Sequence, residues 1–123
     1  MDNQLDLVFV DDDEGFLNTI DISFEGGDLN IKTALNFDEG VKLIINEKPK
    51  VAFIDYELHD QTGQQLLVKL SESYVFQHTV LYLLTGKSFN SEEEGLLKTL
   101  GFTDVLYKPI SKEAMVEILK KHS

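Results

Sequence analysis

Four places in the chain carry side chains able to hold a cation and handle a transferable charged group: Asp11-Asp12-Asp13, Asp55, Thr85-Gly86 and Lys108-Pro109. Each alone is ordinary. An acid beside an apolar run commonly caps a helix or sits in a turn, and a Lys-Pro pair commonly marks a turn. Gathered into one cleft, they could do more. Several neighbouring carboxylates cannot all stay ionised cheaply without a counter-charge. The Lys108 ammonium supplies one positive charge, and a divalent cation would supply the rest. With no cysteine and no histidine cluster, the donors are oxygens. The expected ion is Mg2+, which takes one or two carboxylates and completes its shell with water and phosphate oxygens. One carboxylate is then left to react. Asp55 as a nucleophile would form an acyl phosphate. Mg2+, the Lys108 ammonium and the Thr85 hydroxyl could each meet one equatorial oxygen of the transferring phosphoryl group. Gly86, without a side chain, leaves room for that group to enter. Asp13 reads as the cap or first turn of a helix rather than as a metal ligand.

What could bring these residues together is the alternation of elements around them. Leu5 to Val10 is an apolar run of strand length that stops at Asp11. A helical stretch over residues 14–25 carries Phe16, Leu17, Ile20, Ile22 and Phe24 and breaks at Gly26-Gly27. Leu29, Ile31 and Thr33 alternate as a strand does. Asn36 followed by Glu39 resembles a capping box for a helix bearing Val41, Ile44 and Ile45, and Pro49 closes that region. Val51 to Ile54 is a second apolar strand, stopping at Asp55. Leu66, Leu67 and Leu70 mark a helix after Gly63. Val80 to Leu84 is a strand ending at Thr85, and Ser91 with Glu94 reads as a capping box for the helix of Leu96, Leu97 and Leu100. Val105 to Tyr107 is the last strand, ending at Lys108, and Ser111 can cap a final helix with Met115, Ile118 and Leu119.

Strand then helix, five times over, specifies an α/β fold: a single doubly wound (βα)5 domain with a five-stranded parallel sheet and helices on both faces. Nearly all-apolar strands agree, since such strands are covered on both sides. Ligands of these folds bind at the carboxyl ends of the strands. Four of the five expected strands end at the residues named above.

The 123 residues suit one domain, read here as residues 1–123. The net charge of −11 would be repelled by a phosphate backbone, so direct nucleic-acid binding is not expected. No apolar run approaches the ~20 residues of a membrane span. Residues 1–6 carry two acids and no base, unlike a secretory signal. With no cysteine, a cytoplasmic setting is the expectation.

These residues resemble the receiver domain of two-component response regulators, over essentially the whole chain. Val8-Phe9-Val10-Asp11-Asp12-Asp13 looks like that family's first strand with its acidic pair, and Phe53-Ile54-Asp55 like the strand bearing the phosphoacceptor. Gly63 looks like the glycine of the following loop, Leu84-Thr85-Gly86 like the strand-end Thr with a small residue after it, and Gly101 through Lys108-Pro109 like the run ending in Lys-Pro. The spacings fit as well, at 43 positions from Asp12 to Asp55, 30 from Asp55 to Thr85 and 23 from Thr85 to Lys108.

The resemblance implies a flavodoxin-like fold of strand order 2-1-3-4-5 and a cis Lys108-Pro109 peptide. It implies Asp55 as phosphoacceptor and a Mg2+ ion held by Asp12, by Asp11 through water, by Asp55 and by the Glu57 backbone carbonyl. Thr85 and Lys108 would contact the phosphoryl group. The donor would be a histidine kinase or phosphotransfer protein, and the receiver of the signal a downstream protein or output domain. Such a domain catalyses its own phosphorylation and dephosphorylation but turns over no external substrate. The chain ends at Ser123, just after the final helix, as expected of a stand-alone receiver or of a piece of a longer protein.

Three features stand out against the family pattern. Val105 stands where relatives carry a Tyr or Phe that swings inward with the Thr; Tyr107, two residues on, is a possible substitute in a switch of Thr85, Val105 and Tyr107. His59 stands where relatives often have Pro, and reads as a loop residue. Glu57 and Lys87, two residues past Asp55 and Thr85, could pair as a gate over the site. Two other functions fit the same residues less well. A haloacid-dehalogenase-type phosphatase would use Asp11 as nucleophile and Asp13 as acid–base, but Gly15 stands where Thr or Val is wanted and no later acidic pair follows a strand. A phosphorylation-independent binding module on the same fold would normally have lost the acids or the lysine, all of which are present.

Overall fold

The computed structural model describes residues 4–122, so the reading of the acidic N-terminus falls partly outside the described residues, as does Ser123. The five sheet strands are β1 (Leu7–Val10), β2 (Ile31–Ala34), β3 (Val51–Ile54), β4 (Val80–Thr85) and β5 (Asp104–Tyr107). They alternate with α1 (Glu14–Phe24), α2 (Phe37–Glu47), α3 (Gly63–Leu70), α4 (Ser91–Leu100) and α5 (Lys112–Lys121). All pairings are parallel, in the order β2-β1-β3-β4-β5. This is the expected doubly wound order.

The apolar strands explain the layering. Every residue of β1 and β3 is buried, because side chains on both faces meet helices. Odd and even positions feed different cores. Val8, Val10, Ala52, Ile54, Leu81, Leu83 and Val105 pack with Ile44, Leu66, Leu67, Leu70 and Leu97 of α2, α3 and α4. Leu7, Phe9, Val51, Phe53, Tyr82 and Leu84 pack with Leu17, Ile20, Phe24, Met115 and Leu119 of α1 and α5. On this second face Phe9, Phe53 and Tyr82 are register partners across three central strands. Their rings lie 5.1 and 5.8 Å apart, centroid to centroid, a cross-strand aromatic row that fixes register.

The helix starts are set by side-chain caps, with one shift from expectation. Asp13, Asn36 and Ser111 accept the N–H groups of Phe16, Glu39 and Ala114 respectively. Glu39 returns to the Asn36 side-chain amide rather than to its backbone, so only half of that capping box is made. The box of α4 is Asn90 with Glu93, not Ser91 with Glu94: each side chain accepts the other's backbone N–H, at 2.8 and 2.9 Å. The two overlapping motifs differ by one residue, and the asparagine wins. α3 has a full box, Thr62 with Gln65, that the sequence reading did not pick out. That reading also missed a small antiparallel ladder of Glu57–Leu58 with Gln61–Thr62. Ile22, taken as apolar-face spacing, is exposed; Leu17, Ile20 and Phe24 carry the buried face of α1. Among the described residues no helix is long and apolar enough to cross a membrane.

Candidate functional site

Backbone pairing carries the sheet just far enough to set the chemistry-bearing residues side by side. The Asp11 N–H donates to the Ala34 carbonyl at 3.0 Å, and the Asp55 N–H to the Val10 carbonyl at 2.9 Å. At the other side of the sheet the Lys108 N–H donates to the Thr85 carbonyl at 2.9 Å. Each is one further rung beyond a ladder, so Asp11, Asp55, Thr85 and Lys108 occupy a common carboxyl edge. The Lys108-Pro109 peptide is cis, as expected. Gly63 completes the frame. A Cβ there would stand 2.4 Å from the Asp55 carbonyl oxygen, so only glycine lets α3 begin against the end of β3. At Gly86 the space is open.

The expected acids do converge. Asp11, Asp12 and Asp55 each offer a carboxylate oxygen within 4.8 Å of the other two. Asp13 is not among them; its side chain caps α1. The Lys108 ammonium lies 2.6 Å from Asp11 Oδ2 and 3.8 Å from Asp55 Oδ2. Asp11 Oδ1 accepts the Asp13 N–H at 2.9 Å, and Asp55 Oδ1 the Tyr56 N–H at 2.8 Å. Thr85 is fully buried, and its Oγ1 accepts the Lys87 N–H at 3.1 Å.

One ammonium therefore serves two of the three carboxylates, Asp11 and Asp55, and Asp55 feels both its burial and its acidic neighbour. Burial pushes the Asp55 carboxyl up and the Asp11 charge adds to this, while Lys108, the Thr85 hydroxyl and the Tyr56 N–H pull it back; the net pKa is about 6. A half-buried acid cluster short of positive charge, built only of oxygens, fits a hard divalent cation.

Other expected residues lie at the rim. Glu57 is exposed on the small ladder. Among the described residues it forms no ion pair with Lys87, whose ammonium instead lies 5.7 Å from the centroid of the Tyr56 ring. Val105 is buried in the core beneath α4. Tyr107 is half-exposed, its hydroxyl donating to the Glu94 carboxylate on α4. That contact, with the hydroxyl proton held by an anion, pushes the Tyr107 phenol pKa up.

Two neighbours of the site escaped the sequence reading. His59, taken as a loop residue, has a left-handed backbone (φ 58°) and donates its N–H to Asp12 Oδ2 at 3.1 Å. Its ring Nδ1 lies 3.5 Å from the same oxygen. Phe16, taken as a core position of α1, turns its ring face to Lys108, with the ammonium 4.3 Å from the centroid. Neither has a signal in the linear spacing, because each contact joins segments set by the crossovers.

Known proteins share this fold. The response regulator receiver domain family matches residues 7–120. Among solved structures, a CheY-like receiver domain protein from Methanospirillum hungatei JF-1 superposes with a TM-score of 0.79 at 25% identity, covering 97% of this chain and 93% of that one. Chemotaxis protein CheY4 of Vibrio cholerae gives 0.83 at 18% identity, covering 98% and 99%. The receiver domain of Francisella response regulator 1452 gives 0.81 at 22% identity, covering 96% and 95%. The strand order, the acid cluster with its lysine, and the family match over nearly the whole chain agree: this chain belongs to the response regulator receiver domain family of two-component signalling.

Proposed function

We propose that residues 1–123 form one phosphoacceptor domain that takes a phosphoryl group onto Asp55 from a phosphohistidine of a histidine kinase or phosphotransfer protein. The observation that carries this reading is the placement of Asp55: buried among Asp11, Asp12, Thr85 and Lys108, with one carboxylate oxygen held by the Tyr56 N–H and the other 3.8 Å from an ammonium. An Asp55 oxygen attacks phosphorus as the donor's P–N bond breaks, and the electron pair leaves with the imidazole, which is reprotonated. Lys108 lies where it can follow charge from the carboxylates to the phosphoryl oxygens. The Thr85 hydroxyl, now occupied by the Lys87 N–H, can turn to another of those oxygens, which frees the loop after β4.

Asp11, Asp12, Asp55 and the Glu57 backbone carbonyl are the groups that would hold Mg2+, which when bound neutralises the cluster and the incoming phosphate charge. The raised Asp55 pKa favours this reading, because such a carboxylate gains from a cation. Stored charge balance, not substrate turnover, then makes the domain a signalling element. Its output passes to a protein partner, with Thr85 and Tyr107 as the switch residues because Val105 has no ring to move, and with Glu57 and Lys87 flanking the entrance. The acid-rich surface and the absence of a long apolar helix among the described residues are in keeping with a cytoplasmic protein that contacts neither nucleic acid nor membrane.

Titration with beryllofluoride in the presence of Mg2+, followed by fluorine NMR, tests the reading. One bound species is expected with Mg2+, and none with EDTA or in Asp55→Asn. A bound species that persists in Asp55→Asn would overturn it.

A further inference from the structure

The Lys108 ammonium is held on three sides. Asp11 Oδ2 is at 2.6 Å, Asp55 Oδ2 at 3.8 Å, and the face of the Phe16 ring at 4.3 Å. The two carboxylates are shared, since both belong to the acid cluster suited to a cation. Whatever positive charge enters that cluster competes with Lys108 for them. The ring has no second claim on it. Phe16 is itself fixed: it sits in the first turn-and-a-half of α1, which Asp13 caps, and its ring meets that of Phe9 edge-on at a centroid distance of 6.5 Å. Lys108 is also fixed at its backbone by the rung to Thr85. Between these anchors lie the four rotors of a lysine side chain, costly to order unless something holds the tip.

We infer that Phe16 is a positioning residue for phosphoryl transfer: its π face keeps the Lys108 ammonium beside the acid cluster, within reach of a group on Asp55, when Asp11 is engaged by a cation, without neutralising it. This inference rests on the phosphoacceptor reading. A cation–π contact suits the task because it attracts the ammonium yet leaves its charge available to phosphoryl oxygens. A carboxylate in the same place would cancel that charge, and an aliphatic side chain would give packing without electrostatic hold.

The test is a double-mutant cycle with a conservative pair at position 16, read in two ways. By NMR, the Lys108 ε-methylene protons are expected upfield in the wild-type protein from the ring current, upfield still in Phe16→Tyr, and at ordinary lysine positions in Phe16→Leu. By titration with beryllofluoride and Mg2+, Phe16→Leu is expected to bind about three- to tenfold more weakly, Phe16→Tyr within twofold of wild type, and Phe16→Leu no more weakly than the parent once Lys108→Ala is present. The inference is overturned if the Lys108 protons are the same in Phe16→Leu as in wild type, or if Phe16→Leu costs as much with Lys108→Ala as without it. Thermal unfolding of each variant separates loss of fold from loss of aim. A wild-type protein that binds no beryllofluoride overturns the phosphoacceptor reading itself, and the NMR arm still decides whether the ring holds the lysine.

Discussion

At the scale of single residues, the site is under electrostatic tension, and Asp55 bears it. Its carboxyl is pushed up to about 6, against 3.8 for an ordinary aspartate, by burial first and then by the Asp11 charge. The folded state therefore binds its proton more tightly than the unfolded chain does. Between about pH 4 and 6 the folded form holds more protons, so stability falls as pH rises through that window and the penalty is complete above it. Asp55→Asn removes the penalty. Without added metal, the variant is expected to be about 1–3 kcal/mol more stable than wild type at pH 7.5 and close to it near pH 4, as read by denaturant titration at both values. An equal gain at both pH values would place the effect in packing rather than charge. Lys108 shows the converse: 3.8 Å from Asp55, it favours that carboxyl's ionised form, and its ammonium lies between Asp11 and the Phe16 ring.

At the scale of elements, the precision of the site comes from how strands end and helices begin. Gly63 is the tightest case. Its missing Cβ would meet the Asp55 carbonyl and also approach Ile54 and Leu83 within 3.1 Å. Gly63→Ala is expected to destabilise the fold by about 2–3 kcal/mol, and thermal unfolding checks this. The cap of α4 gives a finer prediction. Asn90→Ala should cost about 1 kcal/mol, while Ser91→Ala, one residue inside the helix, should be near neutral; reversal of that order would restore the register first expected from the sequence. This one-residue slip shows where the sequence is legible. The strands were readable because buried β1 and β3 are wholly apolar and each ends at an acid, so pattern and boundary coincide. The edge pieces were not. The Glu57–Leu58 ladder is two residues long, and its pairing with Gln61–Thr62 accompanies a left-handed turn at His59, which a histidine favours only weakly. The pairing of Phe16 with Lys108 joins residues far apart in sequence, and a phenylalanine on an apolar helix face gives no hint that its ring will meet an ammonium. Likewise, Glu57 and Lys87 have the opposite charges of a gate pair, yet Lys87 leans on Tyr56 instead.

At the scale of the whole molecule, a parallel sheet covered on both faces is a rigid frame that delivers four strand ends to one edge, and the frame tolerates the charge deficit gathered there. A ligand that binds only the folded state must raise its stability by mass action. Millimolar Mg2+ is therefore expected to raise the unfolding temperature of the wild-type protein, with EDTA reversing it and Asp12→Ala abolishing it; Ca2+ or Mg2+ shifts that survive in Asp12→Ala would move the cation out of this cluster. On the reading proposed above, the frame presents one reactive carboxylate. The most direct measurement is incubation with acetyl phosphate and Mg2+, borohydride reduction of any acyl phosphate to homoserine, and peptide mass spectrometry. A single homoserine is expected, at position 55, absent with EDTA and absent in Asp55→Asn. A homoserine at Asp11 or Asp12, or labelling that ignores Mg2+, would contradict it.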